Sequence, residues 1–193
     1  MADMSLTPRQ AELADAVLGL IAREGIAGVS YRAVAAESGW SLGAVQKAFP
    51  SKGEMLSAAF ARLRAQSGPT PAAPPGVPTV REWLVQLLLG ILPLDDARRA
   101  AQRQGDAFAQ HALTDPSVAA AIAESDAQIR GLIAGLIARS RAAGAPGSPV
   151  DPDTAAWAVL ALAQGLAAQL LYAPEPEDTV RTRVDAALAV LVG

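Results

Sequence analysis

Residues 29–55 read V-S-Y-R-A-V-A-A-E-S-G-W-S-L-G-A-V-Q-K-A-F-P-S-K-G-E-M, and the fold turns on how this stretch is taken. Two short helical segments flank a tight turn at Gly39. The first carries Val34 and Ala35 on one face, the second Val45, Ala48 and Phe49. Ala35, four positions before the glycine, is small enough to let two helix backbones approach closely. Gly39 supplies a left-handed conformation that a Cβ would penalise. Ser41 then stands where its side-chain oxygen can accept a bond from an orphan N–H of the next helix. Helix, glycine turn and helix together make a helix-turn-helix, whose second helix can lie in a DNA major groove. The side chains that this second helix would expose are Leu42, Ala44, Gln46 and Lys47.

The composition of the 193 residues points the same way. Hydrophobic residues make up 51% and aromatics only 4%, so helix-friendly Ala and Leu dominate and an all-α protein is expected. With no cysteine, disulfides and thiolate metal sites are excluded. Uninterrupted apolar runs such as Trp157–Ala163 fall far short of the ~18 residues of a membrane span, so no membrane contact is expected. Asp3 and the lack of an apolar leader argue against secretion, and a cytoplasmic location is the expectation. The net charge is −3. Residues 1–65 hold seven Lys/Arg against six Asp/Glu, a balance of +1, and the remainder is −4. A nucleic-acid face must therefore depend on where a few cations sit, not on bulk charge.

Outward from the central stretch, Thr7-Pro8-Arg9-Gln10 has capping-box spacing with proline at the first helical position. Leu13, Ala14, Val17, Leu18, Leu20 and Ile21 then recur on one side, which predicts a buttressing helix up to about Gly25. Ser51-Lys52-Gly53-Glu54 starts a further helix that runs to about Gln66. Lys52 in its first turn opposes the helix dipole unless an anion lies nearby. These helices define a domain over residues 1–66. Residues 67–78 contain five prolines among small residues and read as an extended linker.

Residues 79–193 form the expected second, helical domain. Thr79-Val80-Arg81-Glu82 is another capping box, and Pro93 ends its helix, which carries Trp83, Leu84, Leu87, Leu88 and Ile91. A helix from Asp95 to about Leu113 bears Ala97, Ala101, Gln104, Phe108 and His111 on one face. Asp115-Pro116 opens a long helix, closed by a loop at 144–149. Asp151-Pro152 opens a helix through Tyr172 that is apolar nearly all round, broken only by Gln164 and Gln169. A helix apolar on every side is buried on every side. In a domain this small its outer face needs a second molecule. Together with a last helix over 177–192, it predicts a homodimer seam through residues 152–172 and 177–192.

The run around Gly39, Gly43, Phe49, Lys52 and Glu54-Met55-Leu56 resembles the DNA-binding domain of the TetR family of transcriptional regulators, over roughly Thr7–Phe60. The C-terminal half is more loosely similar to the BetI-like subgroup. Where the family usually has a tyrosine late in the recognition helix, this chain has Gln46, which can bond a phosphate or an adenine edge. The resemblance implies an N-terminal three-helix helix-turn-helix domain followed by a helical ligand-binding and dimerisation domain. It implies that Tyr31, Arg32 and Lys52 hold phosphates, while Ser41, Leu42, Gly43, Ala44, Gln46 and Lys47 form the face toward the bases of a double-stranded operator. It further implies a homodimeric repressor, released from a palindromic operator by a small effector. Trp83, Leu87, Gln104, Phe108, His111, Trp157 and Gln164 are the expected lining of the effector site, so that ligand should be largely apolar.

Catalysis is hard to build from these residues. His111 is the only histidine and no Gly-x-Ser-x-Gly elbow accompanies it. The acidic pairs at Asp95-Asp96 and Asp151-Asp153 sit at helix starts, where they suit the dipole, so neither a metal nor another cofactor is expected. The competing reading is a helical dimer that senses or scaffolds without sequence-specific DNA binding. The low basicity, Gln46 in place of the usual tyrosine and the long linker favour it.

Overall fold

The computed structural model describes residues 6–66, 79–144 and 147–193. The expected linker at 67–78, and two residues of the expected loop at 144–149, lie outside the described residues. Among those described there are nine α-helices and no strand. The all-α expectation holds.

The described residues fall into two compact units. The first contains α1 (Pro8–Glu24), α2 (Tyr31–Ser38), α3 (Leu42–Ala48) and α4 (Lys52–Gln66), with a single 3₁₀ turn at Ile26–Gly28. α1 begins as its sequence predicts. The Thr7 side chain accepts from Gln10 N–H, the Gln10 side chain accepts from Thr7 N–H, and Pro8 occupies the first turn. Its apolar stripe (Leu13, Ala14, Val17, Leu18, Leu20 and Ile21) is buried, and α2, α3 and α4 all pack on it. The Arg62 guanidinium donates two bonds to Asp15 at 2.9 and 3.0 Å, and Gln66 adds a third at 2.7 Å, pinning the last turns of α4 to α1.

Arg103–Ala119 also belong to this first unit, although the sequence pattern assigns them to the second domain. They come from α6 (Asp96–Ala112) and the start of α7 (Pro116–Ala142). Two contacts account for the grouping. Phe108 is fully buried, with its ring edge-on to Phe60 of α4 at 5.2 Å. Gln104 donates to the carbonyl of Leu18, in the middle of α1, at 2.9 Å. An aromatic pair of this kind adds ~0.5–1.5 kcal/mol beyond the area it buries.

The second unit is built from α5 (Val80–Ile91), the start of α6, the rest of α7, α8 (Pro152–Tyr172) and α9 (Glu177–Leu191). Its core joins Trp83, Leu84, Leu88 and Leu92 to Ile133 and Ile137 of α7, Val159 and Ala163 of α8, and Val184 and Leu188 of α9. Thr79 and Glu82 form the expected reciprocal cap on α5. Within one chain α8 is buried on one side and open on the other; the open face is the one expected to need a second molecule. Its window mean hydropathy of 1.5 would suit a membrane span by length and composition, yet only 33% of that window is buried. Ala155, Ala156, Val159, Ala163, Ala167 and Leu170 are buried, whereas Trp157, Ala161, Gly165, Ala168 and Tyr172 are exposed. The exposed set recurs at helical spacing and makes one apolar stripe.

The start of α8 depends on one carboxylate. Asp151 accepts from Asp153 N–H at 3.0 Å and Thr154 N–H at 3.1 Å. The bond to Thr154, then the one from Asp153, hold its pKa below the ordinary 3.8. A depressed folded-state pKa stabilises the fold above the unfolded value, and that stabilisation is lost as pH falls. Wild-type protein should therefore lose more stability than Asp151→Asn as pH drops from neutral to below 3.8. Urea denaturation at stepped pH measures this; identical pH profiles would show that the cap does not titrate.

Candidate nucleic-acid interface

The two short helices of the first unit are shaped by four local devices. Ser30 caps α2 by accepting from Ala33 N–H at 3.1 Å. At the other end, the Ser38 hydroxyl donates to Val34 carbonyl at 2.7 Å and accepts from Trp40 N–H at 3.4 Å. Gly39 lies between them at φ 74°, ψ 2°, the left-handed region. Ser41 then caps α3, accepting from Ala44 N–H at 3.2 Å. Each of these residues has the type that its backbone position requires.

α3 is seven residues long and presents two unlike faces. Val45 and Phe49 are 0% and 2% exposed. Ser41, Leu42, Gly43, Gln46 and Lys47 are exposed, and Ala44 is half-buried. Gly43 has open space where a Cβ would stand, so nothing inside the protein demands glycine there. In a helix interior that glycine costs ~0.5–1 kcal/mol relative to alanine.

The C-terminal end of α3 is tied to its neighbours. Phe49 N–H closes the helix onto Val45 carbonyl at 3.0 Å. Gln10 Nε2 donates to Ala48 carbonyl at 3.2 Å, and the Tyr31 hydroxyl donates to Phe49 carbonyl at 3.0 Å. The single hydroxyl proton of Tyr31, expected at a phosphate, is thus spent inside the protein. Lys52 Nζ lies 3.5 Å from Ile26 carbonyl and is exposed, with further N–H groups to offer. Arg32 is exposed.

Beside the turn, the Arg9 guanidinium stacks over the Trp40 ring at 4.4 Å, and Trp40 Nε1 donates to Glu12 at 3.3 Å. Thr7, Pro8, Arg9 and Gln10 line an open depression with Lys47 and Ala48. Arg9, Gln10 and Trp40 have no place in the sequence-based site. Arg9 and Gln10 stand more than thirty residues from their partners in the chain, so no local pattern marks them. Two carboxylates of this unit are held by arginines: Glu37 by Arg23 at 2.7 Å and Asp15 by Arg62 at 2.9 Å. Those bonds raise the pKa of both guanidiniums.

The residues expected around an effector are distributed over both units. Trp83 is buried and Leu87 half-buried in the core of the second unit. Trp157 is 60% exposed, and exposed Gln164 donates to Asp126 at 3.2 Å. Gln104, Phe108 and His111 belong to the first unit, where His111 pairs with Asp115 at 3.5 Å. Among the described residues no group of His, Asp or Glu could hold a metal ion.

Residues 80–193 match the family model described as BetI-type transcriptional repressor, C-terminal, which is more than half of the chain. Among curated proteins none matches. Solved structures match along nearly the whole length. A transcriptional regulator from Rhodococcus sp. Rha1 is 28% identical with a TM-score of 0.83, covering 94% of this chain and 95% of that one. A member of the TetR family from Streptomyces coelicolor A3 is 24% identical with a TM-score of 0.78, covering 97% and 99%. The multidrug binding protein EbrR, complexed with malachite green, is 25% identical with a TM-score of 0.69, covering 97% and 99%.

The turn geometry carries its own test. Gly39→Ala puts a Cβ on a left-handed backbone and should cost ~1–2 kcal/mol. Gly39→Asn, which tolerates that region, should cost less. Thermal melts of the two variants decide it, and equal losses would mean that something other than φ makes glycine necessary.

Proposed function

For a chain that belongs to the TetR family of transcriptional regulators, with a BetI-type C-terminal domain, we propose a homodimeric, effector-released repressor of a palindromic operator. The observation that carries this reading is the two-faced α3. Val45 and Phe49 anchor it, while Leu42, Gly43, Gln46 and Lys47 stand free on the other side. Those residues, with Ser41 and Ala44, are the proposed base-facing set. Gln46 is long enough to bond an adenine edge or a phosphate. Arg32 and Lys52 are the proposed phosphate contacts. Cations so few supply modest affinity from one protomer, and two protomers reading half-sites one helical turn apart supply the rest.

The exposed stripe on α8 supports the dimer. Trp157 and Tyr172 are 60% and 77% exposed, and Val190 on α9 is 71% exposed. Large apolar groups left open along two adjacent helices, with small Ala161, Gly165, Ala168 and Ala186 among them, suit a four-helix seam with a second copy. The seam also accounts for the apolarity of α8 without a membrane. The protein is proposed to act in the cytoplasm, with residues 1–66 as the DNA-binding domain, 67–78 as linker and 79–193 as the effector and dimer domain.

The effector is proposed to be small and largely apolar. EbrR, a relative of the same fold, takes malachite green and imidazole. Trp83 and Leu87 are the proposed apolar lining in the second unit. Trp157 and Gln164, expected there as well, are better placed for the seam. A ligand that favours one arrangement of the two recognition helices needs a coupling of only ~1–3 kcal/mol to release DNA.

Selection of binding sites from random duplex DNA should return a palindrome. Binding to it should weaken steeply with salt, and Lys47→Ala should lower the slope of log K against log salt by about 1 per contact. Retention of all duplexes alike would support the scaffold reading instead. Ala168→Glu places a charge in the proposed seam at an exposed position. Sedimentation equilibrium should then find monomers where wild type gives dimers; a wild type that is already monomeric would end the dimer proposal.

A further inference from the structure

A seven-residue helix has too few internal bonds to hold its own orientation, and α3 is short of donors at its C-terminal end. The carbonyl of Gln46 would take its bond from residue 50, which is proline and has no N–H. Past Lys47, the carbonyls of Ala48 and Phe49 receive side-chain donors from two different helices. Gln10 reaches Ala48 from the first turn of α1, and Tyr31 reaches Phe49 from the first residue of α2.

We infer that Gln10 and Tyr31 are positioning residues that set the angle at which α3 offers Gln46 and Lys47 to the DNA bases. The inference rests on the DNA-binding reading of α3. Both atoms of the Gln10 amide are committed. Oε1 accepts from Thr7 N–H at 3.1 Å and from the Thr7 hydroxyl at 3.0 Å, which leaves Nε2 for Ala48. The start of α1 and the end of α3 are thereby joined through one planar group. Tyr31 follows the Ser30 cap directly, so its ring leaves a rigid helix start and its hydroxyl is fixed on Phe49. Without either bond, Val45 and Phe49 would still hold α3 in the core. They are apolar contacts without direction, and the helix could roll about them. Readout of base edges depends on donor and acceptor geometry, whereas attraction to phosphates tolerates such a roll.

The two effects separate in one experiment. Wild type, Tyr31→Phe and Gln10→Met are titrated against the selected palindrome and against an unrelated duplex of equal length, at two salt concentrations. Thr7→Ala serves as the control that weakens the α1 cap but leaves the amide of Gln10 free to reach Ala48. Each positioning variant should lose about two- to tenfold in affinity for the palindrome. Its affinity for the unrelated duplex and its salt slope should stay near those of wild type, and its melting temperature should fall no further than that of Thr7→Ala. Amide hydrogen exchange of the DNA-free protein should quicken around Phe49 in both variants. Equal losses on the two duplexes, or unchanged affinity for the palindrome, would overturn the inference while leaving the DNA-binding reading intact. A wild-type protein with no preference between the duplexes would overturn that reading and the inference with it.

Discussion

Seven residues of helix do not persist alone in water, because nucleation costs more than so few hydrogen bonds return. α3 therefore exists only as long as Val45 and Phe49 stay pressed into the first unit. Everything exposed on α3 inherits its position from that anchoring. α1 supplies the platform: its six buried apolar residues are the surface on which α2, α3 and α4 all pack. Burial of each large side chain there is worth ~1.5–3 kcal/mol, enough for a scaffold much firmer than the short helices it carries.

Polar groups do a different task on this platform. The Ser30, Ser38 and Ser41 hydroxyls settle where α2 and α3 begin and end. The Asp15–Arg62 pair joins α1 to α4, and the Arg9–Trp40–Glu12 set joins α1 to the turn. Exposed pairs of this kind add little stability singly. Their geometry is nonetheless directional, which the apolar contacts beneath them are not. The same division holds in the second unit, where the caps at Thr79 and Asp151 set helix starts while the apolar core holds the helices together.

A helix can run through two compact units and still bury a large side chain in just one of them. α6 has one fully buried large side chain, Phe108, and it lies in the first unit with Phe60. Its earlier part is charged: Arg98 and Arg99 pair with Asp95 and Asp96. The stripe Ala97, Ala101, Gln104, Phe108 and His111 is real as a periodicity, yet its members meet different surroundings along the helix. Gln104 bonds a carbonyl of α1, and His111 Nε2 lies 3.5 Å from the Asp115 carboxylate.

What the chain determined by itself is the local structure. Capping boxes at Thr7 and Thr79, the Asp151-Pro152 start, the left-handed Gly39 and the serine caps place helix ends within a residue or two, because each depends on bonds made inside a few residues. The apolar periods of α1 and α5 likewise named most of the residues that these two helices bury. Tertiary structure alone decided the assignment of Arg103–Ala119 to the first unit and the ties from Gln10 and Tyr31 to the end of α3. Those depend on partners 18 to 86 positions away in the chain. A periodic pattern shows which side of a helix is apolar but not which neighbour covers it. The partner of a lone amide or hydroxyl is set by where the packed helices bring a free carbonyl.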